Sequence, residues 1–246
     1  MIDPAVLEAV TDEESVRDRT LRSIRATVGE FRRRYGDKMG TADELRITML
    51  QTWLPGGGGD EGRGESLYCH VGLLPERRKD VLVRIEVRGH GRKNAAAKDS
   101  RWIVEREEEG GAASGGGPVE ERILLDARGG MLEGTQTNFF LVTGDGVVVT
   151  AGSGILEGSV RESVLRVCEA AGIPLALRPP TVADLKEATG VFLTSTSRLV
   201  LPVHEVVVDV TADDVGGAFS FRGCQLTKAI QELVLEDVKT HCVPIY

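Results

Sequence analysis

Glu133 and Asn138 have the chemistry to hold a charged aromatic ligand. They sit on a turn between apolar stretches, and farther on Gly158-Ser159-Val160-Arg161 reads as the opening of a helix. An isolated acid can accept a hydrogen bond from a protonated ring nitrogen. A helix start preceded by glycine offers unpaired backbone N–H groups and the positive end of the helix dipole to a phosphate. The combination suits a phosphorylated aromatic cofactor. Each part also has a plainer reading: Glu133 as a turn cap, Asn138 as a turn former, and Gly158 to Val160 as an ordinary helix start. Other chemistries find no support. His70, His90, His204 and His241 lack metal-ligand spacing, so no metal site is expected. No nucleophile-elbow, Walker or dinucleotide-binding glycine motif occurs.

The elements that must position these residues follow from pattern. Thr11-Asp12-Glu13-Glu14 has the form of a capping box, and apolar residues then recur at helical spacing, which predicts a helix from Glu13 to Tyr35. Alternation predicts strands at Leu45–Trp53, Leu67–Val71 and Val81–Val87. Small and polar residues from Gly89 to Ala97 read as a linker, followed by a helical segment from Lys98 to Glu109. Gly56–Gly62 and Gly110–Gly117 read as flexible insertions. Strands are expected at Ile123–Leu125, Phe139–Val142, Val147–Val149, near Leu175, at Val191–Thr194 and at Val206–Val208. Helices are expected at Val160–Ala171, after Thr181 and at Gln225–Val238. The sum is an α+β chain in two lobes. Residues 1–90 form a partial first lobe, 91–97 a linker, and 98–246 a second lobe that holds the ligand.

Composition narrows the partners. A net charge of −8 argues against nucleic acid and anionic membranes. No apolar run approaches the roughly 20 residues needed to span a bilayer, and the acidic N-terminus shows no targeting signal. Cys69, Cys168, Cys224 and Cys242 are scattered, which suits free thiols in a reducing, cytoplasmic compartment.

Four motifs, in order, resemble those of fold-type IV (class IV) pyridoxal-phosphate enzymes. This family includes branched-chain and D-amino acid aminotransferases and aminodeoxychorismate lyase. Glu133-Gly134 followed by Thr137-Asn138-Phe139-Phe140 looks like its EG…NxF signature. Leu156-Glu157-Gly158-Ser159-Val160-Arg161 looks like its LPGITR phosphate loop. Phe192 to Ser197 and then Pro202-Val203 complete the series. Lys98 precedes Glu133 by 35 residues (133 − 98), the spacing that the family places between its cofactor-linking lysine and its pyridine-binding acid. Without the resemblance, Lys98 would read as surface, as Arg92 and Lys93 do.

The resemblance implies pyridoxal 5'-phosphate as cofactor, bound covalently by Lys98. Glu133 would sit at the ring nitrogen and Asn138 would organise the site. Ser159, Val160 and Thr196 would hold the phosphate. It implies transfer of an amino group from an amino acid to a 2-oxo acid, in a homodimer. A lyase of the aminodeoxychorismate type, or a silent paralogue serving as a binding module, would share these motifs. The chain departs from the pattern in several places. Glu157 replaces a proline, Ser159 an isoleucine and Val160 a threonine, and Ile103 stands, beside Trp102, where aminotransferases carry a tyrosine. The family's first strands and its phosphate-binding arginine find no match before Val87. An incomplete first lobe, shortened at its N-terminus, is therefore expected.

Overall fold

In a computed structural model, described over residues 12–40, 44–53, 65–75, 82–99, 101–108, 118–208 and 217–242, the chain divides into two compact units, Met1–Arg77 and Arg78–Cys242. The first contains helix α1 (Glu13–Tyr35) and an antiparallel pair, β1 (Leu45–Trp53) and β2 (Glu65–Leu73). Helix α1 has the bounds that its pattern predicts, but its cap is Asp12, whose carboxylate accepts the Ser15 N–H at 2.8 Å. Asp12 therefore takes the capping role expected of Thr11, with Glu13 and Glu14 complementing the dipole in the first turn. The glycine segment 56–62 lies outside the described residues, as does 110–117.

The second unit is built on a ten-stranded sheet ordered β10-β9-β6-β5-β4-β3-β11-β12, with β7 joining β6 to β8. Its strands are β3 (Arg84–His90), β4 (Glu121–Leu125), β5 (Met131–Gly134), β6 (Asn138–Thr143), β7 (Val148–Thr150), β8 (Leu175–Leu177), β9 (Ala188–Ser195), β10 (Leu199–Val203), β11 (Glu205–Val208) and β12 (Gly217–Ser220). Strand β3 runs parallel to both β4 and β11. That pairing explains why the division falls at Arg77/Arg78 and not in a linker at residues 91–97. The strand expected to close the first lobe is a hydrogen-bonded interior member of the second unit's sheet.

The helices described in this unit are α2 (Arg101–Glu108), α3 (Ser159–Ala170), α4 (Val182–Glu187) and α5 (Gln225–His241). Phe139-Phe140-Leu141-Val142 is an unbroken apolar run because β6 is covered on both faces. Phe139 and Leu141 pack in one cluster with Ile85, Ile123 and Val206. Phe140 and Val142 pack in the other, with Val164 of α3 and Ile230 and Val234 of α5. Phe140 stacks on Phe192 of the neighbouring strand, centroids 4.7 Å apart. Strand β6 is thereby fixed at the centre of the sheet, and its first residue, Asn138, is fixed with it.

Candidate functional site

Register brings the site together. Glu133 on β5 pairs with Asn138 on β6, which pairs with Thr194 on β9. Directly paired residues project to the same face, so three adjacent strands present a carboxylate, an amide and a hydroxyl in one row. Glu133 thus stands on a strand and not on the turn that was expected to deliver it. The row lines a cavity of about 330 Å³, which the start of α3 and the 195–196 turn also line. That volume suits a small-molecule ligand. Lys98, Glu133, Asn138, Ser159, Val160 and Thr196 all lie on its wall.

The loop from Ala151 to Gly158 is strapped to this row. The Leu156 N–H donates to Glu133 Oε2 at 2.9 Å, and Asn138 Nδ2 donates to the Leu156 carbonyl at 2.7 Å. One residue's peptide groups therefore link the acid to the amide, and the loop then runs into the helix start. Gly158, the N-cap of α3, supplies no side-chain cap. The N–H groups of Ser159 and Val160 are among those that a helix start leaves without an intrahelical partner. Glycine is required here for a second reason. A Cβ at position 158 would collide with Asn138 Oδ1, and Asn138 is buried and held by its bond to Leu156. Gly158→Ala is expected to cost about 1–3 kcal/mol, read as a lower melting temperature in calorimetry. An unchanged melting temperature would show that Asn138 is free to move aside.

The residue that sequence reading missed is Arg92. Expected as linker surface, it has a side chain only 9% exposed and donates through Nε and Nη2 to Glu133 Oε1 at 2.9 and 2.7 Å. Its guanidinium also donates to the carbonyls of Ala95 and Ala97 at 2.7 and 3.3 Å. The turn that carries Lys98 to the cavity is tied in this way to the acid on β5. Trp102 braces the same corner. Its Nε1 donates to the Thr135 carbonyl at 2.8 Å, and the Arg92 guanidinium lies 5.6 Å from its ring centre. The only early signal was chemical, since Arg92 is a cation six residues from Lys98 (98 − 92).

Electrostatics follow from this packing. Burial pushes the Glu133 carboxyl above its ordinary value, while the Leu156 N–H, the Arg92 guanidinium and the Lys98 charge pull it back. Both Arg92 donors go to Oε1, and Oε2 carries the one bond from Leu156, so Oε2 keeps capacity for a further donor. Two buried polar atoms of the wall have no partner, Thr194 Oγ1 and Arg161 Nε; Arg161 is otherwise bonded through Nη2 to the Ala151 carbonyl at 3.0 Å. The lining thus pairs a buried carboxylate acceptor and the Lys98 amine with an uncapped helix start, an orphan hydroxyl and a buried cation. That donor set fits a phosphorylated pyridine ring bearing an aldehyde. Among the described residues no group of three or more histidine, cysteine or acidic side chains could hold a metal ion.

Comparison with known proteins agrees with this geometry. The family model for class IV amino-transferases matches residues 23–206, and the chain belongs to that family. A relative described as a putative branched-chain-amino-acid aminotransferase, from Methanocaldococcus jannaschii, is 37% identical over 124 residues, which is 50% of this chain and 40% of that protein. A branched-chain amino acid aminotransferase from T.th., complexed with N-(5'-phosphopyridoxyl)-L-glutamate, is 26% identical with a TM-score of 0.52, covering 65% of this chain and 53% of that one. The fold is also that of a hypothetical aminotransferase from Mycobacterium tuberculosis in its PLP-bound form. That match has 21% identity and a TM-score of 0.64, and covers 89% of this chain and 76% of the other. The chain spans about two fifths of the Methanocaldococcus relative's length and about half that of the phosphopyridoxyl-glutamate complex's enzyme.

Proposed function

We propose that this chain is a pyridoxal-phosphate-dependent aminotransferase that moves the amino group of an amino acid to a 2-oxo acid. One observation carries the reading: the buried Glu133, with spare acceptor capacity, shares a small cavity with Lys98 and an uncapped helix start. The bound cofactor would supply an electron sink for the substrate's α-carbon. The remaining work falls to the chain. Lys98 would form the covalent link and, once released by an incoming amino acid, move the α-proton. Glu133 would accept the ring N–H through Oε2, with Arg92 and the Leu156 N–H keeping its carboxylate charged. The Ser159 and Val160 N–H groups and the Thr196 hydroxyl would hold the phosphate, and Asn138 would hold the loop that presents them.

The names of the relatives make a branched-chain amino acid the first substrate to try, and the phosphopyridoxyl-glutamate complex makes 2-oxoglutarate the first acceptor. Purified protein given pyridoxal phosphate, L-leucine and 2-oxoglutarate is expected to form L-glutamate. No glutamate from leucine, isoleucine, valine or a panel of other amino acids would overturn the reading. No helix among the described residues is long and apolar enough to cross a membrane, and all four cysteines are free. We propose a cytoplasmic location, on the scattered, free cysteines, and a homodimer by family resemblance. Light scattering of the purified chain checks the second point.

Cofactor association should also depend on pH through Glu133. Burial raises Glu133 in the free chain, so the acid limb of the association of pyridoxal phosphate with the chain should lie above that of an ordinary glutamate, because the ring acceptor must be ionised to take the ring N–H. A pH–rate profile of binding to the wild-type chain checks this, and a limb at the ordinary glutamate value would contradict it.

A further inference from the structure

Glu121, at the start of β4, takes no part in the chemistry above, yet it is only 3% exposed and its carboxylate accepts bonds from two separate turns. From the β5–β6 turn, the Thr135 N–H and hydroxyl reach Oε1 at 3.1 and 2.6 Å, while the Gln136 N–H and the Thr137 hydroxyl reach Oε2 at 3.3 and 3.2 Å. From the β9–β10 turn, Arg198 Nη1 reaches Oε2 at 3.3 Å. Arg198 is itself tied to that turn, where its N–H donates to Ser195 Oγ at 3.2 Å, and Nη2 pairs with Glu120 at 3.2 Å. Gly134 permits the approach, since a Cβ there would lie 2.7 Å from Glu121 Cγ. Thr135, Gln136 and Thr137 on one turn, and Ser195 and Thr196 on the other, line the cavity.

We propose that Glu121 is a positioning residue that sets the separation of these two turns and so tunes how tightly and in what orientation the cavity holds its ligand. The inference rests on the reading of the cavity as a pyridoxal-phosphate site. A buried anion at this point is the shared acceptor for N–H and O–H groups that otherwise face one another. Replacing it by an amide of the same shape turns one acceptor into a donor and leaves several of those groups unpaired. The two turns then lose their common reference, while the Leu156 strap and the Arg92 pair stay in place.

The test compares wild type, Glu121→Gln, Arg198→Leu and the double variant, each titrated with pyridoxal phosphate and followed by visible absorbance and visible circular dichroism. Glu121→Gln is expected to raise the dissociation constant roughly tenfold and to change the dichroism of the bound cofactor. Arg198→Leu should raise it by a smaller factor, and the double variant should be no weaker than Glu121→Gln, because the two share one interaction. If Glu121→Gln does not fold, Arg198→Leu, at a partly exposed position, decides alone. A variant with a lower melting temperature but wild-type affinity and dichroism would overturn the proposal and leave Glu121 as scaffold. A wild-type chain that does not bind the cofactor would overturn the proposal together with the reading on which it rests.

Discussion

Lys98→Ala is expected to reduce amino-group transfer by a factor on the order of 10²–10⁴ for loss of the proton carrier alone, and further for loss of the covalent link. The fold should be untouched. Lys98 is exposed on the cavity wall and follows a turn that Arg92, not Lys98, holds in place. Truncating such a side chain should leave the melting temperature within about 3 °C of wild type. Steady-state rates with saturating pyridoxal phosphate, measured beside thermal melts, separate the two effects. Near-wild-type turnover would remove Lys98 from the chemistry.

Arg92→Met should act on stability and on pH dependence together. The Arg92 and Glu133 side chains are 9% and 4% exposed, so removing the cation leaves a buried carboxylate without its partner. Breaking a pair of this kind costs about 3–5 kcal/mol. The cost should depend on pH, because Glu133 can escape it by taking up a proton. Burial already raises Glu133 in the wild-type chain, and losing Arg92 raises it further. A carboxyl whose folded-state value lies above its unfolded value contributes stability that is complete below the unfolded value and is lost as pH rises through the folded one. The deficit of Arg92→Met relative to wild type should therefore grow from pH 5 to pH 8, on top of a pH-independent part from the lost bonds to the Ala95 and Ala97 carbonyls. Melts at both values check this, and a deficit independent of pH would show that Glu133 does not feel the missing charge. Because Arg92 also holds the Ala95 and Ala97 carbonyls, the variant should disturb Lys98 as well.

The contrast between Lys98 and Arg92 shows what the sequence could and could not reveal. Periodicity gave α1 its bounds, and the apolar run of β6 marked a strand buried on both faces. The motifs around Glu133, Asn138 and Ser159 marked the cavity wall. Strand β5 escaped notice because it is four residues long and bounded by glycine, too short for alternation to show. Strand β10 escaped because its Leu199-Val200-Leu201-Pro202-Val203 run was absorbed into a motif and contains a proline. Arg92 was misplaced for a deeper reason. Its surroundings, Gly89 to Ala97, have the composition of a linker, and its burial depends on a partner 41 residues away (133 − 92). The close approach of Gly91 is equally invisible: its N–H donates to the Leu125 carbonyl, and a Cβ there would lie 2.6 Å from Leu132 Cδ1. Glu121 carried no local signal either, since its role exists only once β4, the β5–β6 turn and Arg198 are assembled.

The central claim is that Lys98, among the lysines of the chain, is the one that the cavity turns into a covalent anchor. Incubating the protein with pyridoxal phosphate, reducing with borohydride and mapping the modified peptide tests it directly. The expected result is a pyridoxyl group on Lys98 at close to one per chain, lost in Lys98→Ala. A label on Lys93 or Lys228 instead, or spread evenly over surface lysines, would contradict the account.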